Sequence, residues 1–148
     1  MTAVRANSSC FDDRAIERAE AALEALSINF DEWMAGEIER LDGARIAGRR
    51  DGYTDASLDA LFLRAHDVKG VGTTYGYPLI TALGAQLCRL LDNPEGRRAA
   101  RETPALIDAH VDGMRAILRS NLKDADDRTG LALVRELKSR VDRWATDD

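Results

Sequence analysis

The residues best suited to chemistry stand close together in the segment RAHDVKGVGTTYGYP, residues 64–78. It contains His66, Lys69 and the three glycines Gly70, Gly72 and Gly76. Imidazole is a good nucleophile in its neutral form, and an ammonium group can offset the negative charge of an anion. The segment is compatible with a glycine-rich phosphate loop, a helix that carries a reactive histidine, or a loose turn.

The phosphate-loop interpretation conflicts with the residues that precede the glycines. A dinucleotide fingerprint needs a strand before the glycines and a helix after them, within a βαβ unit. Here the preceding letters, SLDALFLRAHDV, have a helical period, and the sequence contains no G-x-x-x-x-G-K-[ST] motif. The pattern therefore favours a helix that carries His66.

Placing the segment on a helix gives His66 a defined direction. At about 3.6 residues per turn, one side of the helix forms a core face, made by Leu61, Ala65, Val68, Gly72 and Tyr75. His66 lies on roughly the opposite side, surrounded by Asp59, Phe62, Leu63, Lys69, Gly70 and Thr73. We expect His66 to face solvent midway along a rigid helix.

Two glycines inside this helix need an explanation, since each costs about 1 kcal/mol relative to alanine. Gly72 lies on the core face, where close packing against another helix explains it. Gly70 lies on the outer face one turn from His66, where a missing side chain leaves room for a large partner. Phe62 and Leu63 add apolar surface beside it, as in protein docking sites. Any one of these features would suit an ordinary surface histidine, but together they favour a reactive one.

The composition indicates one all-helical domain. The chain has 148 residues, 45% hydrophobic and only 5% aromatic, with three prolines. Its net charge of −5 argues against a general nucleic-acid binder. The short basic clusters, Arg49 and Arg50 together with Arg97, Arg98 and Arg101, are expected to be solvated helix faces.

The cysteines and histidines are too few for a disulfide framework or a clustered metal site. There are two of each, Cys10, Cys88, His66 and His110. His110 has no lysine three residues later, and we expect a structural histidine on the flank of a helix. No run of about 18 apolar residues occurs, and MTAVRANSSC lacks the apolar core of a signal peptide. We expect no bound metal or cofactor and a cytoplasmic protein.

Hydrophobic periodicity predicts the order of the helices. Residues 1–10 are expected to be disordered, and residues 11–148 to form one domain. Apolar residues at helical spacing predict a nearly continuous helix over 12–49, with two helices broken near Ser27 as the alternative: Ile16, Leu23, Leu26, Phe30, Trp33, Ile38 and Leu41.

Later helices are expected at about 55–75, 78–92, 104–118 and 129–145, with a turn at DNPEG and a weakly helical stretch at 95–102. Short links between amphipathic helices predict an all-α, up-and-down antiparallel four-helix bundle, with a core over about 30–120. The long N-terminal helix and an extra C-terminal helix complete this architecture.

The segment around His66 also resembles a known family. Residues 65–76, AHDVKGVGTTYG, match the pattern A-H-x-[LV]-K-G-x-[AG]-x-x-x-G of the histidine-containing phosphotransfer (HPt) domain of two-component phosphorelays. The resemblance extends over about residues 30–120, and LIDAHVDGMRAIL at 106–118 is similar to the closing helix of that bundle.

The resemblance implies a role for each matching residue. His66 would accept a phosphoryl group from a receiver-domain aspartate, Lys69 would supply a cation beside it, and Gly70 would give the partner clearance. Partner contacts are implied for Phe62, Leu63, Thr73, Gln86 and Cys88. The family often presents a glutamine from the next helix, whereas the register here puts Cys88 nearer to His66 than Gln86.

The implied partners are response-regulator receiver domains and hybrid histidine kinases. Mg²⁺ would be bound by the receiver rather than by this chain. The protein would be a monomeric phosphoprotein that relays phosphate in the cytoplasm, without kinase activity of its own.

Two alternatives remain open. In a non-catalytic helical interaction module, His66 would be dispensable while Phe30 and Trp33 on the long helix would matter. In the dimerisation-and-phosphoacceptor part of a histidine kinase, an H-E-x-x-x-P type box is usual, whereas Val68, Lys69 and Gly70 follow here.

Overall fold

The computed structural model of the chain describes the backbone of residues 2–145 and the side chains of residues 12–145. This part of the protein is all-α, as predicted, and contains no strand. Its six helices are α1 (Thr2–Arg50), α2 (Asp55–Val71), α3 (Pro78–Leu91), α4 (Pro94–Glu102), α5 (Ala105–Arg119) and α6 (Arg128–Val141). The expected disorder of residues 1–10 falls on a segment outside the described side chains and stays a prediction.

Helix α1 is a single helix, so the alternative with a break near Ser27 is wrong. Its second half carries the buried Met34, Ile38 and Leu41 and contacts α2 and α5. From residue 12 to residue 26 almost every side chain is exposed. The helix therefore has a half packed in the protein core and a half that extends away from it.

Helix α2 begins at a conventional cap and ends earlier than expected. The Thr54 side chain accepts a hydrogen bond from the Ser57 amide at 3.2 Å. At the other end, the Thr81 hydroxyl accepts from the Thr73 amide at 2.7 Å, and Gly76 takes a φ of +94°. These contacts stop the helix at Val71 rather than near residue 75, because they form a turn that leads into α3.

Glycines let α2 and α3 approach closely. A Cβ added to Gly84 on α3 would lie 2.9 Å from the Lys69 amide nitrogen and 3.2 Å from the Ala65 carbonyl oxygen. One added to Gly72 would lie 2.3 Å from the Thr81 hydroxyl. Close packing at Gly72 is thus confirmed. The contact also holds α2 in the rotation that points His66 outward.

The remaining helices pack around α3. Helix α5 contacts α1 and α3, α6 contacts α3 and α5, and α4 contacts α3 and α5. Helix α4 begins at Pro94 inside the predicted DNPEG turn, because the Asn93 side chain caps it by accepting from the Gly96 amide at 2.7 Å. Helix α6 ends at Val141, one turn before the predicted limit of 145.

Two arginines of α4 bind the beginning of α2. Arg97 pairs with Asp59 at 2.6 Å, and Arg101 pairs with Asp55 at 2.5 Å and donates to the Tyr53 carbonyl at 2.7 Å. The expectation of a solvated basic face is wrong for these two arginines. They connect segments that are about 40 residues apart in the chain.

His110 lies in the protein core rather than on a helix flank. Its Nδ1 is 2.7 Å from the Leu106 carbonyl oxygen, and its Nε2 is 3.1 Å from the Gln86 side-chain oxygen. Complete burial lowers the pKa of His110 to about 4. A structural role, as expected from the sequence, is consistent with this position.

Candidate functional site

His66 stands on the outer face of α2 and is exposed. Its neighbours on the core face, Ala65 and Val68, are fully buried and hold the helix against the core. The half-buried ring of Phe62 lies one turn before the imidazole, with 6.3 Å between the ring centroids. The imidazole is therefore presented to solvent by a rigid element and has an apolar neighbour on one side.

The His66 ring makes no hydrogen bond or ion pair with any side chain from residue 12 to residue 145. The two charged residues nearest in sequence, Arg64 and Asp67, face each other at 3.6 Å. Both ring nitrogens are thus accessible to a reagent from outside the chain.

Lys69 and Gly70 lie in the next turn of α2. Residues three apart on a helix have Cβ atoms about 5–6 Å apart, so the exposed Lys69 can reach an anion bound at His66. A Cβ added to Gly70 would meet nothing within 4 Å. The predicted clearance beside His66 is therefore present.

The predicted partner contacts on α2 differ in their exposure. Leu63 is among the exposed large apolar residues, and Phe62 is half-buried against the core. Thr73 is exposed, but it lies about 10 Å further along the helix axis, and its hydroxyl donates to Thr81 at 3.1 Å. Phe62 and Leu63 lie nearer to the histidine than Thr73, so they form the apolar part of this surface.

The structure corrects the assignment of Gln86 as a partner contact. Gln86 is buried, and its amide donates to the Val134 carbonyl of α6 at 3.0 Å while its oxygen faces His110. Its side chain therefore points from α3 toward α5 and α6, away from α2. A docked protein could not reach it.

Cys88 on α3 is also buried, and it is close enough to Lys69 for that charge to act on its thiol. Burial raises the pKa of the Cys88 thiol to about 11, although the positive charge of Lys69 acts in the opposite direction. The thiol is therefore neutral and a poor nucleophile. The predicted direct contact of Cys88 with a partner is corrected by its burial.

One aromatic cluster was not foreseen as a unit. Phe30 on α1 stacks on Tyr75 at 5.4 Å between centroids, and Trp33 lies 5.6 Å from Phe30 and 5.9 Å from Tyr75. Helical spacing identified Phe30 and Trp33, but nothing in the sequence indicated that Tyr75 would join them from another segment.

The described side chains contain no group of three or more His, Cys, Asp or Glu that could hold a metal ion; Cys10 lies outside them. Within the described residues, every helix is too short or too polar to cross a membrane. Comparison of the chain with protein-family models, curated proteins and solved structures finds no match.

Proposed function

We propose that this chain is a histidine phosphotransfer protein. His66 accepts a phosphoryl group from the aspartate of one receiver domain and passes it to another. In this proposal the second half of α1 together with α2, α3 and α5 forms an antiparallel four-helix bundle, and α4 and α6 pack outside it. The observation that carries the proposal is the unbonded, exposed imidazole of His66 beside Lys69 and the open space at Gly70.

The transfer requires little from this chain beyond presentation of the nucleophile. A neutral ring nitrogen attacks the phosphorus of an aspartyl phosphate, a P–N bond forms, and the P–O bond to the aspartate breaks. The aspartate leaves as a carboxylate, and the phosphorylated ring loses one proton to solvent. We expect Mg²⁺ to be bound by the receiver domain, where it would stabilise charge on the phosphoryl oxygens.

Lys69 would stabilise the phosphorylated state weakly. Two unit charges about 4 Å apart attract by about 1 kcal/mol in water, and by several times more once docking excludes solvent. Weak stabilisation suits a relay, because a strongly held phosphoryl group would not move on. Since no nucleotide-binding segment was recognised in the sequence, we propose a cytoplasmic relay component rather than a kinase.

The test uses phosphorylated receiver domains and phosphoramidate, a donor that needs no partner protein. Wild-type protein should gain an acid-labile phosphoryl group that mass spectrometry locates on His66, and His66→Gln should gain none. Asp67→Asn, an exposed neighbour on the same helix, is the matched control and should remain a phosphoryl acceptor.

Label that persists on His66→Gln would contradict the proposal. A folded wild-type protein that accepts phosphate from no donor would favour the non-catalytic interaction module. That alternative also predicts that His66→Gln binds every partner of the wild-type chain with unchanged affinity.

A further inference from the structure

The extended half of α1 carries an exposed apolar stripe. Ile16, Leu23, Leu26 and Trp33 are 53%, 65%, 44% and 49% exposed. With Ala19 and the half-buried Phe30, they recur at alternating spacings of three and four residues. We call these six residues the α1 stripe. Such spacing is the a/d pattern by which one helix packs against another in a coiled coil.

Little of the described chain supports this half of α1. The first bonds to other elements occur at Ser27, which accepts from Lys123 at 2.9 Å, and at Asp31, which accepts from Tyr77 at 2.7 Å. An isolated helix gains little stability from its own hydrogen bonds in water. An apolar stripe along such a helix indicates a partner helix.

We propose that the α1 stripe packs antiparallel against the α1 stripe of a second copy of this chain. One register pairs every member of the stripe. Leu23 lies opposite Leu26 of the second copy, Ala19 opposite Phe30, and Ile16 opposite Trp33. The two-fold axis then passes between residues 24 and 25, and each pair occurs twice.

The flanks of the stripe agree with this register. On one flank of the α1 stripe, the residues nearest the partner helix are small, namely Ala15, Ala22, Asn29 and Gly36. Beside them, Arg18 lies opposite Glu32 of the second copy, and neither forms an ion pair with a side chain between residues 12 and 145 of its own chain. Opposite charges therefore meet twice across a flank where small residues let the helices approach.

The antiparallel direction also follows from the position of the core. Helix α1 becomes buried at Met34, so a parallel pair would bring two helical cores to the same end of the coiled coil. In the antiparallel pair the cores lie at opposite ends. Ile16 of each chain then covers the exposed face of Trp33 and its neighbour Tyr75 on the other chain.

The expected dimer is reversible. The overlap from residue 16 to residue 33 is about 27 Å long at about 1.5 Å per residue, which makes a small interface. The other flank carries Glu17 and Glu24, whose like charges weaken the pair. This inference replaces the monomer implied by the family resemblance and does not rest on phosphotransfer by His66.

The test is the mass of the full chain by sedimentation velocity, from low micromolar to submillimolar concentration. Wild-type protein should rise from 16.3 kDa toward twice that mass. Leu23→Glu should remain monomeric throughout, because it adds two carboxylates at the centre of the pair, beside the native Glu24 of each chain. Ile28→Glu is the matched control, since Ile28 is 56% exposed but lies outside the stripe, and it should dimerise like wild type.

A charge exchange tests the register. Arg18→Glu and Glu32→Arg should each weaken the dimer roughly tenfold, because each replaces two attractive contacts by repulsive ones. The double variant should recover wild-type affinity. The proposal would be overturned by a wild type that stays monomeric at every concentration, or by a dimer that survives Leu23→Glu. It would also be overturned if Ile28→Glu weakened the dimer as much as Leu23→Glu does, or if the double charge variant dimerised as weakly as the single ones.

Discussion

Gly72, which directly follows the last residue of α2, lies so close to Thr81 on α3 that no side chain fits between them. A Cβ at position 72 would be 2.3 Å from the Thr81 hydroxyl and 2.8 Å from its backbone nitrogen. The same hydroxyl accepts a hydrogen bond from the Thr73 amide at 2.7 Å. This contact ends the helix that carries His66 and sets the direction in which its outer face points.

Substitution of Gly70 on α2 and of Gly72 just after it should therefore have opposite effects on stability. Gly72→Ala should lower the free energy of unfolding by roughly 2 kcal/mol, because the backbone of α3 must shift. Gly70→Ala should raise it by up to about 1 kcal/mol, since position 70 is open and alanine favours the helix. Urea denaturation of both variants measures the difference. Equal destabilisation would show that the α2–α3 contact is not as close as described.

Bulk at position 70 should slow phosphotransfer without unfolding the protein. Gly70→Leu fills the open space beside His66, so we expect transfer from a phosphorylated receiver to slow by about tenfold, equivalent to about 1.4 kcal/mol of lost docking energy. Rapid-quench transfer assays measure the rate. Ala132→Leu, at an exposed position on α6, is the control and should transfer at the wild-type rate. Equal rates for all three proteins would place the receiver elsewhere.

Buried His110 should make the fold sensitive to mild acid. Burial lowers the pKa of His110 to about 4, whereas an unfolded chain has the ordinary histidine pKa near 6.5. As the pH falls from about 6.5 to about 4, the unfolded state takes up the proton and the folded state does not. The free energy of unfolding should therefore fall by about 1 kcal/mol for each pH unit in this window.

The measurement is urea denaturation of wild type and His110→Leu at several pH values between neutrality and pH 5. The variant should show a smaller loss of stability over the same range, whatever its absolute stability. If the variant does not fold, the wild-type imidazole can be followed by NMR. A His110 ring that titrates above pH 6 in the folded protein would contradict the prediction.

The hydroxyl of Tyr77 should contribute measurably to stability. Tyr77 is fully buried, and its hydroxyl donates to the Asp31 carboxylate at 2.7 Å and lies 3.1 Å from the Asn121 side-chain oxygen. Burial, together with the bond to Asp31, raises the pKa of the Tyr77 phenol, so it stays protonated in the folded protein. Tyr77→Phe should cost about 1–3 kcal/mol in thermal or urea unfolding.

Tyr75→Phe is the matched control for this substitution. Tyr75 is half-buried, and its hydroxyl makes no hydrogen bond to the described residues. We expect a change within about 0.5 kcal/mol. Similar losses for both variants would mean that the bond to Asp31 contributes nothing beyond ring packing.

Properties that depend on spacing within one helix followed from the sequence. The all-α class and the outward position of His66 come from apolar residues that repeat with the helical period. The same period predicts that Gly70 faces open space and that Gly72 faces another helix. A helical side chain's direction relative to its own helix is set by local geometry. Sequence alone therefore determined which residues on α2 share the outer surface with the histidine.

Properties that depend on how two helices face each other came only from the tertiary structure. Gln86 and Cys88 are two residues apart on α3, yet Gln86 bonds to His110 and Val134 while the thiol of Cys88 is influenced by the charge of Lys69 on α2. The ion pairs of Arg97 and Arg101 with α2 are likewise set by packing between distant segments. The partners of these side chains depend on how whole helices are rotated and how closely they approach. The glycine contacts and the packed core set that rotation and distance, and the period of any one segment does not.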